Sequence, residues 1–228
     1  MKNPLIYFSI AVLSLPLFAK GVRGDLVLNG GFETGDFTGW TLDVGTPVTI
    51  GNSSNMNPSG PRSGSFLFSA SEADGASRGG GSEIAISQEI DLSTFPFINS
   101  GNGRFSATAF FSGASGTGSS SDDTALIEIQ FYQNGTTGSL LETFQTAAID
   151  PVVGNWNEVS INDGSVPIGA DTALYRVRTF LDPGFNSIDI GGDDFTFNVT
   201  AVPEPSSAIV LLGVCTCAWL RRRRKLIG

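Results

Sequence analysis

The sequence predicts an antiparallel β-sandwich, and three observations carry that reading. Apolar residues recur every second position in several short runs. Gly, Ser, Asn and Asp clusters separate those runs. No long stretch repeats its apolar residues at the helical period of 3.6. Strands buried on one face alternate in this way, and closely spaced short strands close into sandwiches or barrels.

The elements follow in order. Short strands are expected at residues 46–50 and 65–69. Residues 82–91 alternate through Ile84, Ile86, Gln88 and Ile90. Residues 104–111 place Phe105, Ala107, Ala109 and Phe111 on one face. Residues 124–132 place Ala125, Ile127, Ile129 and Phe131 on one face, with Glu128, Gln130 and Tyr132 on the other. Strands at 140–146 and 156–161 come next. Residues 173–181 set Tyr175, Val177 and Thr179 against Arg176, Arg178 and Phe180, and Phe195, Phe197 and Val199 alternate near the end. The expected core includes Phe105, Ala107, Ile127, Ile129, Val177, Phe195 and Phe197, with Trp40 and Trp156 also inside. Residues 52–64, 71–81 and 112–123 read as polar, Gly- and Ser-rich loops. Arg78-Gly79-Gly80-Gly81 has neither the lysine nor the strand–helix context of a phosphate loop.

Both ends of the 228-residue chain stand apart from this pattern. Lys2, the apolar run 5–18 and the small residues Ala19, Gly21 and Gly24 read as a secretory signal peptide, residues 1–24. At the other end, residues 202–228 hold Pro203-Glu204-Pro205, an apolar segment 206–220 and the cations Arg221, Arg222, Arg223, Arg224 and Lys225. As a helix the segment is about 22 Å long. That is short for a hydrocarbon core of ~30 Å, so it crosses only with thinning or snorkelling. The cations hold the C-terminus on the cytoplasmic side, and the two prolines keep the preceding stretch extended. Residues 25–201 are then one exported domain, held briefly at the inner membrane and released to the cell surface or extracellular matrix.

Composition narrows the chemistry. The domain carries five arginines and no lysine against twenty-one acidic side chains, a net charge of −16. Such a surface repels nucleic acid and anionic lipid. Cys215 and Cys217 both fall in the apolar tail segment, and the chain has no histidine. Ser-His-Asp and Cys-His catalysis are excluded, as is histidine-ligated metal. Paired carboxylates and oxygen-ligated cations remain. No acid pair stands out as that of a glycosidase, so the chain reads as non-enzymatic, with glycoside hydrolysis the least favoured reading.

The three-part tail resembles the PEP-CTERM sorting signal of exported proteins from exopolysaccharide-producing bacteria. That resemblance implies an exosortase-type enzyme that recognises Pro203-Glu204-Pro205 and cuts nearby. The domain begins Leu26-Val27-Leu28-Asn29-Gly30-Gly31-Phe32-Glu33, has Gly39-Trp40 next and Ser63-Gly64-Ser65 in its middle, and closes with Asp193-Asp194-Phe195-Thr196-Phe197. This combination resembles galactose-binding-like jelly rolls, among them carbohydrate-binding modules. If the first and last strands lie side by side, Glu33 and Asp193-Asp194 converge at one rim and repel unless a cation separates them. The resemblance implies a structural Ca²⁺ there, held by the Gly31 carbonyl, Glu33, Asp193 or Asp194, and the loop at Ser63. The other reading is a rim of solvated carboxylates.

For a glycan, the outward positions of three strands offer Phe110, Glu128, Gln130, Tyr132, Arg176 and Arg178. They form one polar-aromatic surface if the strands are neighbours. Otherwise they are a solvated face of Glu–Arg pairs. The leading functional reading is a structural or adhesive envelope or exopolysaccharide protein. The alternative is a carbohydrate-binding, lectin-like module whose partner is extracellular polysaccharide.

Overall fold

A computed structural model describes residues 24–50, 60–70, 83–113, 123–183 and 188–202. The signal peptide up to residue 23, the sorting motif, the apolar tail segment and the basic cluster lie outside the described residues. No helix among the described residues is long and apolar enough to cross a membrane.

The described chain forms ten strands: β1 Thr41–Val44, β2 Val48–Ile50, β3 Leu67–Ser69, β4 Glu83–Asp91, β5 Gly103–Gly113, β6 Thr124–Gln133, β7 Ser139–Gln145, β8 Asn157–Ser165, β9 Thr172–Phe180 and β10 Ile190–Ala201. A single 3-10 turn, Pro96–Ile98, separates β4 from β5. The strands form two five-stranded antiparallel sheets, in the orders β1-β4-β9-β6-β7 and β2-β3-β10-β5-β8. This is the expected antiparallel sandwich. β1 is the strand that alternation misses: all four of its residues are exposed, so it shows no buried face.

The alternating runs supply the core. Phe105, Ala107, Ala109 and Phe111 from β5 and Phe195, Phe197 and Val199 from β10 meet Ala125, Ile127, Ile129, Phe131, Tyr175 and Val177 from the facing sheet. Phe105 stacks on Phe197 with ring centroids 5.7 Å apart, and its edge meets Phe131 at 5.0 Å. Full burial of one such side chain contributes about 1.5–3 kcal/mol. Trp40 is buried as expected, whereas Trp156 is only half-buried.

The opening segment corrects one expectation. It lies beside β10, but as a turn and not as a strand. Leu26 N–H donates to the Phe197 carbonyl at 2.8 Å, and Phe195 N–H donates to the Gly30 carbonyl at 3.0 Å. Asp25 Oδ1 accepts the N–H groups of Val27 and Phe197. A Cβ on Gly30 would come within 2.1 Å of the Phe195 carbonyl oxygen, so only glycine permits this approach. Asn29 and Phe32 both take left-handed backbone angles, which coil the chain out of any strand. Phe32 is nevertheless fully buried, 5.6 Å from Phe195 and 5.7 Å from Trp40. That anchor delivers Glu33 to the rim.

Candidate functional site

Two places gather polar side chains: the outer face of the β1-β4-β9-β6-β7 sheet, and the rim where the opening turn meets β10. On the face, strand register sets five rows. Thr124, Phe180 and Glu83 lie level across β6, β9 and β4, and so do Leu126, Arg178 and Ala85. Glu128, Arg176 and Ser87 form the central row. Gln130, Leu174 and Glu89 follow, then Tyr132, Thr172 and Asp91. Successive rows stand two residues apart, about 7 Å.

A continuous hydrogen-bonded chain runs over these rows. Tyr132 Oη donates to Gln130 Oε1 at 2.5 Å, and Gln130 Nε2 donates to Glu128 Oε1 at 2.8 Å. Arg176 Nη1 reaches Glu128 Oε1 at 3.0 Å, and Arg178 Nη1 reaches Glu128 Oε2 at 3.4 Å. Arg178 Nε pairs with Glu83 at 2.6 Å, and that bond raises the guanidinium above its ordinary value. Arg176 Nε pairs with Asp43 at 3.2 Å, and Ser87 Oγ donates to the other oxygen of Asp43 at 2.9 Å. The centre of this face is covered by its neighbours. Ala85, Ser87, Glu128 and Leu126 are 0%, 4%, 6% and 7% exposed, and neither Ala85 nor Leu126 belongs to the core between the sheets. The result is a polar band, termed here the trough, with Tyr132 at one end and Phe180 at the other, the guanidinium of Arg178 4.9 Å from the Phe180 ring.

The structure thus joins Glu128, Gln130, Tyr132, Arg176 and Arg178, as expected for neighbouring strands. Phe110 does not belong with them. It lies on β5, in the opposite sheet, where Asp193 is its register partner. Asp43, Glu83 and Ser87 complete the trough. Glu83 and Ser87 share the outward phase of β4 and were legible from its alternation. Asp43 sits on exposed β1 and had no such signal.

At the rim, Gly31, Glu33, Ser63, Asp193 and Asp194 do come together. A Cβ on Gly31 would lie 3.5 Å from Asp193 Oδ1, 3.6 Å from Asp194 Oδ1 and 3.8 Å from Glu33 Cγ. The carboxylate oxygens, however, already face hydrogen-bond donors. Glu33 Oε1 accepts from Ser65 N and Phe66 N, and Oε2 from Ser65 N. Asp193 Oδ2 accepts from Arg62 N at 2.8 Å and Ser63 N at 3.1 Å, while Oδ1 accepts from Asp194 N at 2.7 Å. Asp194 Oδ1 accepts from Ser63 Oγ at 2.7 Å, and Oδ2 is ion-paired with Arg62 Nη1. Burial pushes the Asp193 carboxyl up to about 6 against those N–H bonds, with the Asp194 charge adding to the rise. Among the described residues no three acidic side chains form a metal-holding group. A Ca²⁺ ion needs six to eight oxygen ligands, and a crown of N–H groups with a guanidinium is the wrong donor set. The rim does not fit the ion that the jelly-roll resemblance implies.

No protein-family model matches the chain, and no curated protein sequence does. Solved structures share its fold. A cyclase from Fischerella sp. TAU is 13% identical, with 81% of this chain and all of that chain covered and a TM-score of 0.55. The CBM22-1 xylan-binding domain of Paenibacillus barcinonensis Xyn10C is 15% identical, with 79% and 97% covered and a TM-score of 0.50. The enzymatically active domain of bacteriophage CBA120 tailspike protein 4 is 21% identical with a TM-score of 0.51; 76% of this chain matches only 21% of that one. The domain is therefore a jelly-roll sandwich, a fold it shares with a cyclase, a xylan-binding domain and a tailspike domain.

Proposed function

We propose that this domain is a non-enzymatic carbohydrate-binding module of an exported protein, and that the trough on the β1-β4-β9-β6-β7 sheet receives extracellular polysaccharide. The connected chain from Tyr132 through Gln130 and Glu128 to the two arginines carries this reading. It presents alternating donors and acceptors, which suit vicinal hydroxyls, between two aromatic rings that suit the apolar face of a sugar. The fold shared with a xylan-binding domain supports it. Glu83 and Glu128 are both tied to Arg178, the reverse of two free carboxyls flanking a scissile bond.

The three-part tail completes the proposal: sorting by an exosortase-type enzyme after export, with release from the inner membrane. Intact-mass measurement of secreted protein tests this part, and recovery of chain ending at Gly228 in an exosortase-bearing host would overturn it. For binding, affinity electrophoresis through a panel of polysaccharides is the test. Tyr132→Phe and Gln130→Ala each weaken retention by about tenfold, the equivalent of one or two lost hydrogen bonds. Unchanged retention in both variants would move the site off this face.

A further inference from the structure

The rim has a charge problem that the fold must solve. Asp193 and Asp194 bring two carboxylates beside Gly31, where the opening turn, the Arg62–Phe66 loop and β10 meet, and the neighbouring Glu33 turns its own carboxylate to Ser65 and Phe66 of that loop. Desolvated like charges repel unless a cation or oriented dipoles offset them.

We infer that Arg62 is the resident counter-cation of this rim, so that the sandwich closes on an arginine carried by the chain and needs no Ca²⁺. This inference is independent of the glycan reading. Three contacts hold Arg62. Its guanidinium is ion-paired with Asp194, the guanidinium carbon lies over the Phe110 ring 3.4 Å from its centroid, and its own backbone N–H donates to Asp193 Oδ2. A guanidinium stacked on an aromatic ring keeps its edge free for a carboxylate, which an ammonium cannot match. Phe110, level with Asp193 on the neighbouring strand, is the platform that aims it.

The backbone supplies the rest of the positive charge. The N–H groups of Arg62, Ser63, Ser65, Phe66 and Asp194 all point at these carboxylates, joined by the Ser63 hydroxyl. Each of the six carboxylate oxygens has at least one donor. The loop also lies hard against Glu33: at Gly64, with φ of 63°, an added Cβ would meet Glu33 Oε1 at 2.2 Å. A divalent cation bound to the same oxygens would sit against the positive ends of these dipoles. Arg62 is thus a positioning residue, linking two segments 132 positions apart in the chain.

The test is thermal unfolding of the full-length protein in chelator and in millimolar Ca²⁺, with equilibrium dialysis against labelled calcium. The wild-type midpoint is the same in both buffers, and dialysis finds no stoichiometric calcium. Arg62→Gln lowers the midpoint by about 2–4 °C in chelator, as expected for one partly exposed ion pair. Arg62→Lys recovers only part of that loss, because it keeps the charge and loses the stack. A wild-type midpoint raised by about 5–10 °C in calcium, as saturating ligand would give, overturns the inference. One bound calcium per wild-type chain overturns it equally. An Arg62→Gln protein as stable as wild type would do so too. Should that variant fail to fold, the wild-type calcium response alone decides.

Discussion

Gly64 shows how much one backbone position carries. It is left-handed, so Gly64→Ala adds conformational strain, and the added Cβ displaces the exposed carboxylate end of Glu33 from its amide donors. We expect a loss of roughly 1–2 kcal/mol in urea unfolding. A variant within ~0.5 kcal/mol of wild type would mean the loop moves aside. Phe195→Ala is the apolar counterpart. Its ring touches Phe32, Trp40, Phe68, Phe111 and Tyr175, and its removal should cost about 3–5 kcal/mol. The two differ in legibility. Phe195 is visible in the period-2 pattern of its own strand. Arg62 and Phe110 are not, because their pairing joins distant segments and leaves no local signature. That the opening turn and the Asp193-Asp194 end of the domain share one rim was legible from the two end motifs, but the donors that face their carboxylates were not.

Among the elements, the long strands β4, β5, β6, β9 and β10 follow directly from alternation, since each buries one face. β1 escapes because an exposed edge strand has no face to bury. The opening segment escapes because left-handed angles at Asn29 and Phe32 depend on the approach to β10, not on local preference. Outward phase was readable strand by strand, yet sheet membership was not. That is why Phe110 grouped with β6 and β9 in sequence and stands on the opposite sheet in the fold. The ion pairs of the trough yield a graded prediction. Glu128 is nearly buried and serves two arginines, whereas Glu83 and Asp43 are partly exposed and serve one each. Glu128→Gln should therefore cost about 2–4 kcal/mol, and Glu83→Gln or Asp43→Asn at most ~1 kcal/mol. Chemical denaturation of the three variants checks the order; equal losses would show that burial does not set it.

Across the whole molecule, charge sets the response to pH. Burial raises Asp25, Asp123 and Asp193 above the ordinary 3.8, the last to about 6. Such groups hold their protons more tightly folded than unfolded, so stability falls as pH rises from 3.8 through those raised values. Asp36, Asp91 and Asp171 are lowered by hydrogen bonds, so their stabilisation is complete above 3.8 and lost only in stronger acid. Repulsion within a domain of net charge −16 adds to the fall toward neutrality. The melting midpoint should be higher near about pH 4.5 than near about pH 7.5. A midpoint that climbs over that interval would contradict these assignments.

Polysaccharide binding in the trough is open to an amide-resolved NMR titration with the polysaccharide best retained in electrophoresis. Shifts are expected to cluster at Glu128, Gln130, Tyr132, Arg176 and Arg178, with Phe110 and the rest of β5 unmoved. Shifts centred on the Phe110 side of the sandwich, or none with any polysaccharide, would contradict it.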